Sequence, residues 1–542
     1  MKEYLYSVFK EAENKIPQLK EISISFDVPR SIEHGDLSSN AAMLLTKILK
    51  KNPRVLAQEI IDTLNLDSSV ISKTEIAGPG FINFFFTPGY TSKIIKDILN
   101  KKENFGKSNK YNGKKANVEF VSANPTGPLT VGHGRNAVVG DTVANLLEWI
   151  GYEVDREYYF NNAGRQMRVL GDSVKLRYLE ALGDKIDFPE DYYQGDYIKD
   201  IAMQLFIKHG DKLRNDDPES IFKDTAEQEI FFDIKKSLIN LGINHKIFFN
   251  ENTLYEDGKI KKLLRAFKEK NLSYEKDKAV WLKLSELGLT EDKVIVKNTG
   301  EPTYRLPDIA YHAVKLDRGY DLLVDLFGSD HNATYPDVMA GLNAIGYDSS
   351  KIKVLIHQFV TIMDDGEVVK MSTRKANYIT LDELNEEVGS DVVRYFFNMR
   401  NVNSHMIFDL SVAKKQSDEN PVFYLQYAHA RISSILRRVK DEQLEVSINH
   451  LDLLIHEDEQ ALLKVLHNFK EEVFNSAENL ETHKLCTYLY DLASAYHRFN
   501  RSCRILGTEK NLAEARLALA YATMLVIKNG LSILGVSAPE QM

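Results

Sequence analysis

Between Glu119 and Asn136 the chain reads Glu-Phe-Val-Ser-Ala-Asn-Pro-Thr-Gly-Pro-Leu-Thr-Val-Gly-His-Gly-Arg-Asn. The apolar start predicts a strand over 118–122, the Pro/Gly stretch a loop, and the residues from His133 a helix. Strand, loop and helix in that order place a helix N-terminus at the carboxyl end of a strand. Its unbonded N–H groups and positive dipole end favour phosphate there. Gly132 and Gly134 lack side chains, so a nucleotide can approach the backbone, and His133 is placed to touch a phosphate. Taken alone, Gly-His-Gly also reads as a turn with a helix-capping histidine.

A second basic segment lies downstream. Asp364-Asp-Gly-Glu-Val-Val-Lys-Met-Ser-Thr-Arg-Lys-Ala-Asn-Tyr-Ile-Thr380 has a hairpin signal at Asp365-Gly366. The cationic run Lys370-Met-Ser-Thr-Arg-Lys375 follows, and Thr380-Leu-Asp-Glu383 has the pattern of a capping box that starts a new helix. A basic loop of this kind can close over a polyphosphate and stabilise charge moving onto pyrophosphate. It also reads as a solvated charged loop when taken alone.

Three sections position these segments. Residues 1–110 mix helical periodicity (Leu44, Leu45, Ile48, Leu49) with a strand at Phe81–Phe86, and Asn100–Gly113 has the composition of a linker. Residues 111–405 alternate strands with helices. Val138, Val139, Val143, Leu146, Leu147 and Ile150 mark a helix that Gly151 stops, and Leu322–Phe327 and Val354–Ile362 read as further strands. This predicts a Rossmann-like, doubly wound parallel sheet, interrupted over about 168–290 by a charged, helical insertion. Residues 406–542 carry no evident strand, and the stripe Leu425, Ala428, Ile432, Ile435, Leu436, Val439 predicts an all-α bundle of four or five helices.

Bulk composition excludes several classes. No apolar run reads as a membrane span, and the start lacks a signal-peptide core. Cys486 and Cys503 are the only cysteines, which excludes a disulfide scaffold and a CxxC-type metal site and fits a reducing cytosol. The net charge is −9, yet residues 1–110 hold 16 basic against 13 acidic side chains and are net basic.

Together, Thr130-Val-Gly-His133 and Lys370-Met-Ser-Thr373 resemble the two nucleotide-binding signatures of class I aminoacyl-tRNA synthetases, in matching order and context. Further stretches resemble the bacterial arginyl-tRNA synthetase family. These are the lead-in Val118–Leu129, the block Arg156–Arg165, Tyr304-Arg-Leu-Pro-Asp-Ile-Ala-Tyr-His312, Gly328-Ser-Asp-His331, Asn420–Arg431 and the ending Ala538-Pro-Glu-Gln-Met542. The resemblance covers nearly the whole chain and is weakest in the insertion.

It implies an ATP-dependent arginine–tRNA ligase, with ATP, Mg²⁺ carried by the ATP, L-arginine and tRNA(Arg) as substrates. It also implies arginine activation only with tRNA bound, and a cytoplasmic monomer without a membrane or a metal site of its own. Catalysis would fall to His133, Thr130 and Lys370. ATP would be held by Gly132, Gly134, Gly328, Asp330, His331, Lys370, Met371, Ser372 and Thr373. Arginine would be held by Glu119, Ser122, Asn124, Tyr304 and Asp308; two acids and an aromatic suit a planar, permanently charged guanidinium.

Residues 1–110 would touch the tRNA corner, and the bundle would read the anticodon. There Tyr424, Tyr427, Arg431 and Arg438, with His429, could stack on bases or pair with phosphates. The chain departs from the family pattern at four positions: Thr130 stands for a histidine, Thr373 for a lysine, Ala376 for a glycine and Asn162 for an aspartate. These changes keep open the alternative of a catalytically impaired paralogue that binds arginine or RNA.

Overall fold

The computed structural model describes residues 1–29, 32–369, 379–439 and 442–542, and not the side chains of Ile32, Asp330 and His331. Lys370, Met371, Ser372 and Thr373, with Ala376, therefore lie outside the described residues, as do the side chains of Asp330 and His331.

Five parallel strands form the central sheet: β1 (Lys115–Glu119), β2 (Glu153–Phe160), β3 (Ile247–Asn250), β4 (Leu322–Gly328) and β5 (Ile352–His357), in the order β5-β4-β1-β2-β3. The order reverses between β1 and β4, so the crevice for a ligand opens at their carboxyl ends. Helix α1 (Val131–Trp149) leaves β1 and is buried on almost every side. Gly140 lets it sit on the sheet, because a Cβ there would stand 2.3 Å from Phe120. Beyond β3 come α2 (Asn252–Glu256), α3 (Lys259–Glu269), a three-stranded antiparallel sheet spanning 273–296, and α4 (Arg305–Asp317). Helix α5 (Leu381–Val388) begins at the Thr380–Glu383 capping box.

Several expectations are corrected. The strand expected at 118–122 ends at Glu119, and Val121 and Ser122 take φ of 69° and 46°. For a β-branched valine this is a strained conformation, held here by the Asn136 side chain. The run Val354–Ile362 is two strands of different sheets. Val360–Asp364 pairs with Glu367–Val368 through a turn with φ of 47° and 83° at Asp365 and Gly366, and with Met406–Asp409 in parallel.

Met406–Asp409 is thus a strand where none was expected, and β3 lies inside the stretch expected to be an insertion. Both are only four residues long, too short to show a period. The expected linker is packed: Phe105 is fully buried against Phe469, and Asn529 donates to the carbonyls of Lys102 and Phe105 at 2.9 and 3.0 Å.

Residues near the N-terminus form a separate α+β core on a four-stranded antiparallel sheet. The C-terminal bundle consists of α6 (Pro421–Arg438), α7 (Glu457–Glu478), α8 (Thr482–Ser502) and α9 (Lys510–Leu534). Contrary to expectation, α9 is long and apolar enough to cross a membrane, but 78% of its most apolar window is buried inside the protein. A core helix surrounded by other helices is apolar all round for that reason.

Candidate functional site

At the carboxyl edge, three acids stand side by side on adjacent strands: Asp325 on β4, Glu119 on β1 and Glu157 on β2. All three are buried. Three unpaired buried carboxylates would be untenable; α4 supplies their partners. Lys315, itself fully buried, lies 2.7 Å from Glu119 and also pairs with Asp325. Arg318 forks onto both oxygens of Glu157 at 2.7 and 2.9 Å, and Tyr311 donates to it at 3.0 Å. His312 meets Asp325 at 2.9 Å. Burial alone would lower the His312 pKa, but the Asp325 carboxylate raises it.

One turn earlier on α4, Asp308 forms no salt bridge among the described residues. Burial, with Glu119, Glu251 and Asp325 nearby, pushes its carboxyl up to about 7, although His312 opposes the shift. Glu251 holds two tyrosine hydroxyls, Tyr159 at 2.6 Å and Tyr255 at 3.3 Å. Tyr304, one residue before α4, is 57% exposed with its ring beside the Arg305 guanidinium. Glu119 accepts from Ser122 at 3.0 Å, and the Ser122 hydroxyl accepts from the Tyr159 amide at 3.2 Å. Asn124 accepts from the Asn161 amide and donates to Gln166. An acidic pocket in which neither Asp308 nor Glu251 has a salt bridge among the described residues, with an exposed aromatic and a fixed floor, suits a guanidinium.

The other half of the site is the start of α1. The Thr130 amide donates to His133 Nδ1 at 3.1 Å, so Nδ1 is the acceptor and the neutral ring carries its proton on Nε2. Burial lowers the His133 pKa and keeps it neutral. Thr130 and His133 thus form a capping box. Gly132 is open: a Cβ there would meet only Thr130 Oγ1, at 3.7 Å. Gly134 packs closely: its missing Cβ makes room for Leu381 at 2.5 Å and Phe397 at 3.2 Å. Gly328 ends β4 at the same edge.

Leu381 also ties the two signature segments together. Its amide donates to the Leu129 carbonyl at 2.8 Å, and Thr380 bridges Thr130. The residues that follow 370–378 are therefore pinned to Leu129 and Thr130, just ahead of the helix that carries His133.

Sequence reasoning missed the residues that hold this edge. Asn136 accepts from the strained Val121 amide at 2.6 Å and donates to the Leu326 carbonyl, stapling β1 to β4. Arg135, fully buried, donates to the carbonyls of Gln358, Ser404 and Asn401, each at 2.9 Å. The signal for Asp325 and Glu157 was available: a charged residue inside a sheet strand calls for a partner.

Comparison with known proteins agrees with this geometry. Residues 3–86 match the family described as "Arginyl tRNA synthetase N terminal domain", residues 94–404 "tRNA synthetases class I (R), catalytic domain", and residues 425–542 "DALR anticodon binding domain". The chain is 47% identical to an arginine–tRNA ligase of Salinibacter ruber, over 100% of both chains. It is 48% identical to that of Desulfotalea psychrophila, over 95% of this chain and 94% of the relative. The fold is shared with the Thermus thermophilus arginyl-tRNA synthetase at a TM-score of 0.79 and 21% identity, with 100% of both chains covered.

The chain belongs to the arginyl-tRNA synthetase family. In this synthetase the expected anticodon residues lie on α6. Tyr424 packs 4.5 Å from His497 and 5.2 Å from Tyr490, and Arg431 donates to the Tyr427 hydroxyl at 3.2 Å. Tyr427, Arg431 and Arg438 are exposed, whereas Tyr424 is half-buried. His429 is not part of this surface: it is 2% exposed and bonded at 2.8 Å to the Pro539 carbonyl, so the segment after α9 occupies its ring. Asn162, where the family often has aspartate, donates to Glu227 and accepts from Asn252, a pairing that uses both halves of the amide.

Proposed function

We propose that the chain joins L-arginine to tRNA(Arg) in two steps. An arginine carboxylate oxygen attacks the α-phosphate of ATP·Mg²⁺. The bond to the bridging oxygen of the β-phosphate breaks, and pyrophosphate leaves arginyl-adenylate behind. The terminal ribose hydroxyl of the tRNA then attacks the adenylate carbonyl and expels AMP. Catalysis rests on positioning and on neutralising phosphate charge.

The observation that carries this reading is Asp308. Among the described residues no cation forms a salt bridge with it, while Glu119, Asp325 and Glu157 are matched to Lys315, His312 and Arg318; burial and the neighbouring acids raise its pKa. A guanidinium supplies the cation for Asp308. Glu119 and Tyr304 would border the guanidinium, and Asn124 with Ser122 would fix the loop around the α-amino end. His133 Nε2–H and the Thr130 hydroxyl would donate to the α-phosphate. Gly132 and Gly328 would border the nucleotide, with Asp330 and His331. Lys370, in the run Met371-Ser372-Thr373, would draw charge onto the leaving pyrophosphate.

Residues 1–110 would meet the tRNA corner, 111–405 would perform the chemistry, and 406–542 would read the anticodon through Tyr424, Tyr427, Arg431 and Arg438. We place the enzyme in the cytoplasm as a monomer, free of membranes, consistent with two buried free thiols. The test is arginine-dependent exchange of labelled pyrophosphate into ATP. Exchange that requires arginine and is switched on by tRNA is expected; exchange with lysine or glutamine instead of arginine contradicts the pocket assignment.

A further inference from the structure

Helix α3 turns its apolar residues Ile260, Leu263 and Phe267 into the protein, while Lys261, Lys262, Arg265 and Lys268 are exposed. These four positions fall within about a third of the helix circumference, since i, i+1, i+4 and i+7 share one side. Residues 258–278 hold eight basic side chains against three acidic ones, in a chain whose net charge is −9. Among the described residues no ion pair engages any of the four cations. Four exposed cations on one face of a single helix form a positive stripe that can take a polyanion from outside the molecule.

The position of the helix indicates which anion. Only Gly258, with φ of 67°, and two other residues separate α3 from Tyr255, whose hydroxyl lies against Glu251 in the arginine pocket. Helix α3 also packs on α4, the helix that carries Asp308: Phe267 and Ile309 both border Gly341. The stripe therefore begins at the pocket rim and runs outward. Lys261 to Lys268 spans about 10 Å at 1.5 Å per residue, enough to face two or three successive phosphates of one strand.

We propose that this face of α3 is the contact for the phosphate backbone of the tRNA acceptor arm, guiding the 3′ end into the pocket. The inference rests on the reading of the chain as a tRNA-charging enzyme. With the corner and the anticodon taken by the two end domains, the acceptor arm is the part of the tRNA that must reach the catalytic domain.

The experiment uses the full chain and a variant carrying Lys261→Ala, Lys262→Ala, Arg265→Ala and Lys268→Ala together. All four residues are exposed and none touches the pocket, so thermal stability should match the parent. Binding of tRNA(Arg), and of a minihelix with only its acceptor and T arms, is measured across salt concentrations. Four lost phosphate contacts should flatten the slope of log affinity against log salt by about three and weaken binding roughly 10²-fold at low salt. Both RNAs should show the loss. A companion variant with Lys261→Arg, Lys262→Arg, Arg265→Lys and Lys268→Arg should keep the parental slope.

Unchanged affinity and slope in the alanine variant would overturn the proposal, as would a loss confined to intact tRNA with the minihelix unaffected. Failure of the parent enzyme to charge any tRNA would instead strike at the reading on which the inference rests.

Discussion

His133 shows how a single hydrogen bond sets a residue's chemistry. The Thr130 amide can only donate, so His133 Nδ1 accepts and Nε2–H is left for a phosphate oxygen. In the proposed mechanism this neutral donor meets the charge that develops on the α-phosphate in the transition state. Replacing His133 by Ala should lower the rate of adenylate formation about 10²–10³-fold, the cost of one preorganised donor. The KM for arginine should barely move, as single-turnover kinetics would show. Asp308 gives a second prediction at this scale. Its carboxyl sits near 7 in the free enzyme, while arginine stays protonated throughout. On the proposed reading, ionised Asp308 binds the guanidinium and protonated Asp308 does not. Arginine affinity should therefore rise with pH through about 7 and level off above it. In calorimetry at pH 6, binding should release a proton, and Asp308→Asn should abolish both the release and the inflection.

At the scale of elements, α4 exists to pay for the row of acids across the sheet. Removing Lys315 would leave Glu119 and Asp325 without their shared cation, and Lys315→Met should cost about 3–5 kcal/mol in urea unfolding. Gly132 and Gly134 separate by the same reasoning. Gly134→Ala drives a Cβ against Leu381 and Phe397 and should destabilise by about 1–3 kcal/mol, whereas Gly132→Ala should leave stability unchanged and weaken only ATP binding.

Elements also show what the sequence could reveal. The helix after His133 and the capping box at Thr380 were legible because caps and apolar periodicity are local signals. The four-residue strands at 247–250 and 406–409 were not, since their pairing is decided by distant neighbours. The acid row was half legible: Asp325 stands out in its apolar strand, but its alignment with Glu119 and Glu157 depends on strand order. The packing role of Gly134 was not legible, because glycine near a phosphate loop and glycine at a helix crossing look alike until the partner helix is known.

At the scale of the whole molecule, the N-terminal domain is fastened to the bundle. Thr91 donates to Gln460 and accepts from His467, both at 2.8 Å, Asp97 pairs with Lys470 at 2.5 Å, and Asp36 pairs with Lys464. If both end domains contact tRNA as proposed, this link would let one tRNA be held at two points at once. Burial pushes the His467 pKa down to about 4. The unfolded chain therefore takes up a proton between about 6.5 and 4 that the folded chain resists, and stability falls as pH drops through that window. His467→Gln should lessen this acid sensitivity by a few degrees of melting temperature, read between pH 6.5 and 4.5.

The central claim, that these three parts act together to charge tRNA with arginine, is tested by incubating the protein with ATP, Mg²⁺, labelled arginine and bulk bacterial tRNA and counting acid-precipitable label. The account predicts label that depends on tRNA and ATP and is not competed by lysine or glutamine. Bound arginine or tRNA without any precipitable label would contradict it, and would mark Thr130 and Thr373 as the changes that silenced the chemistry.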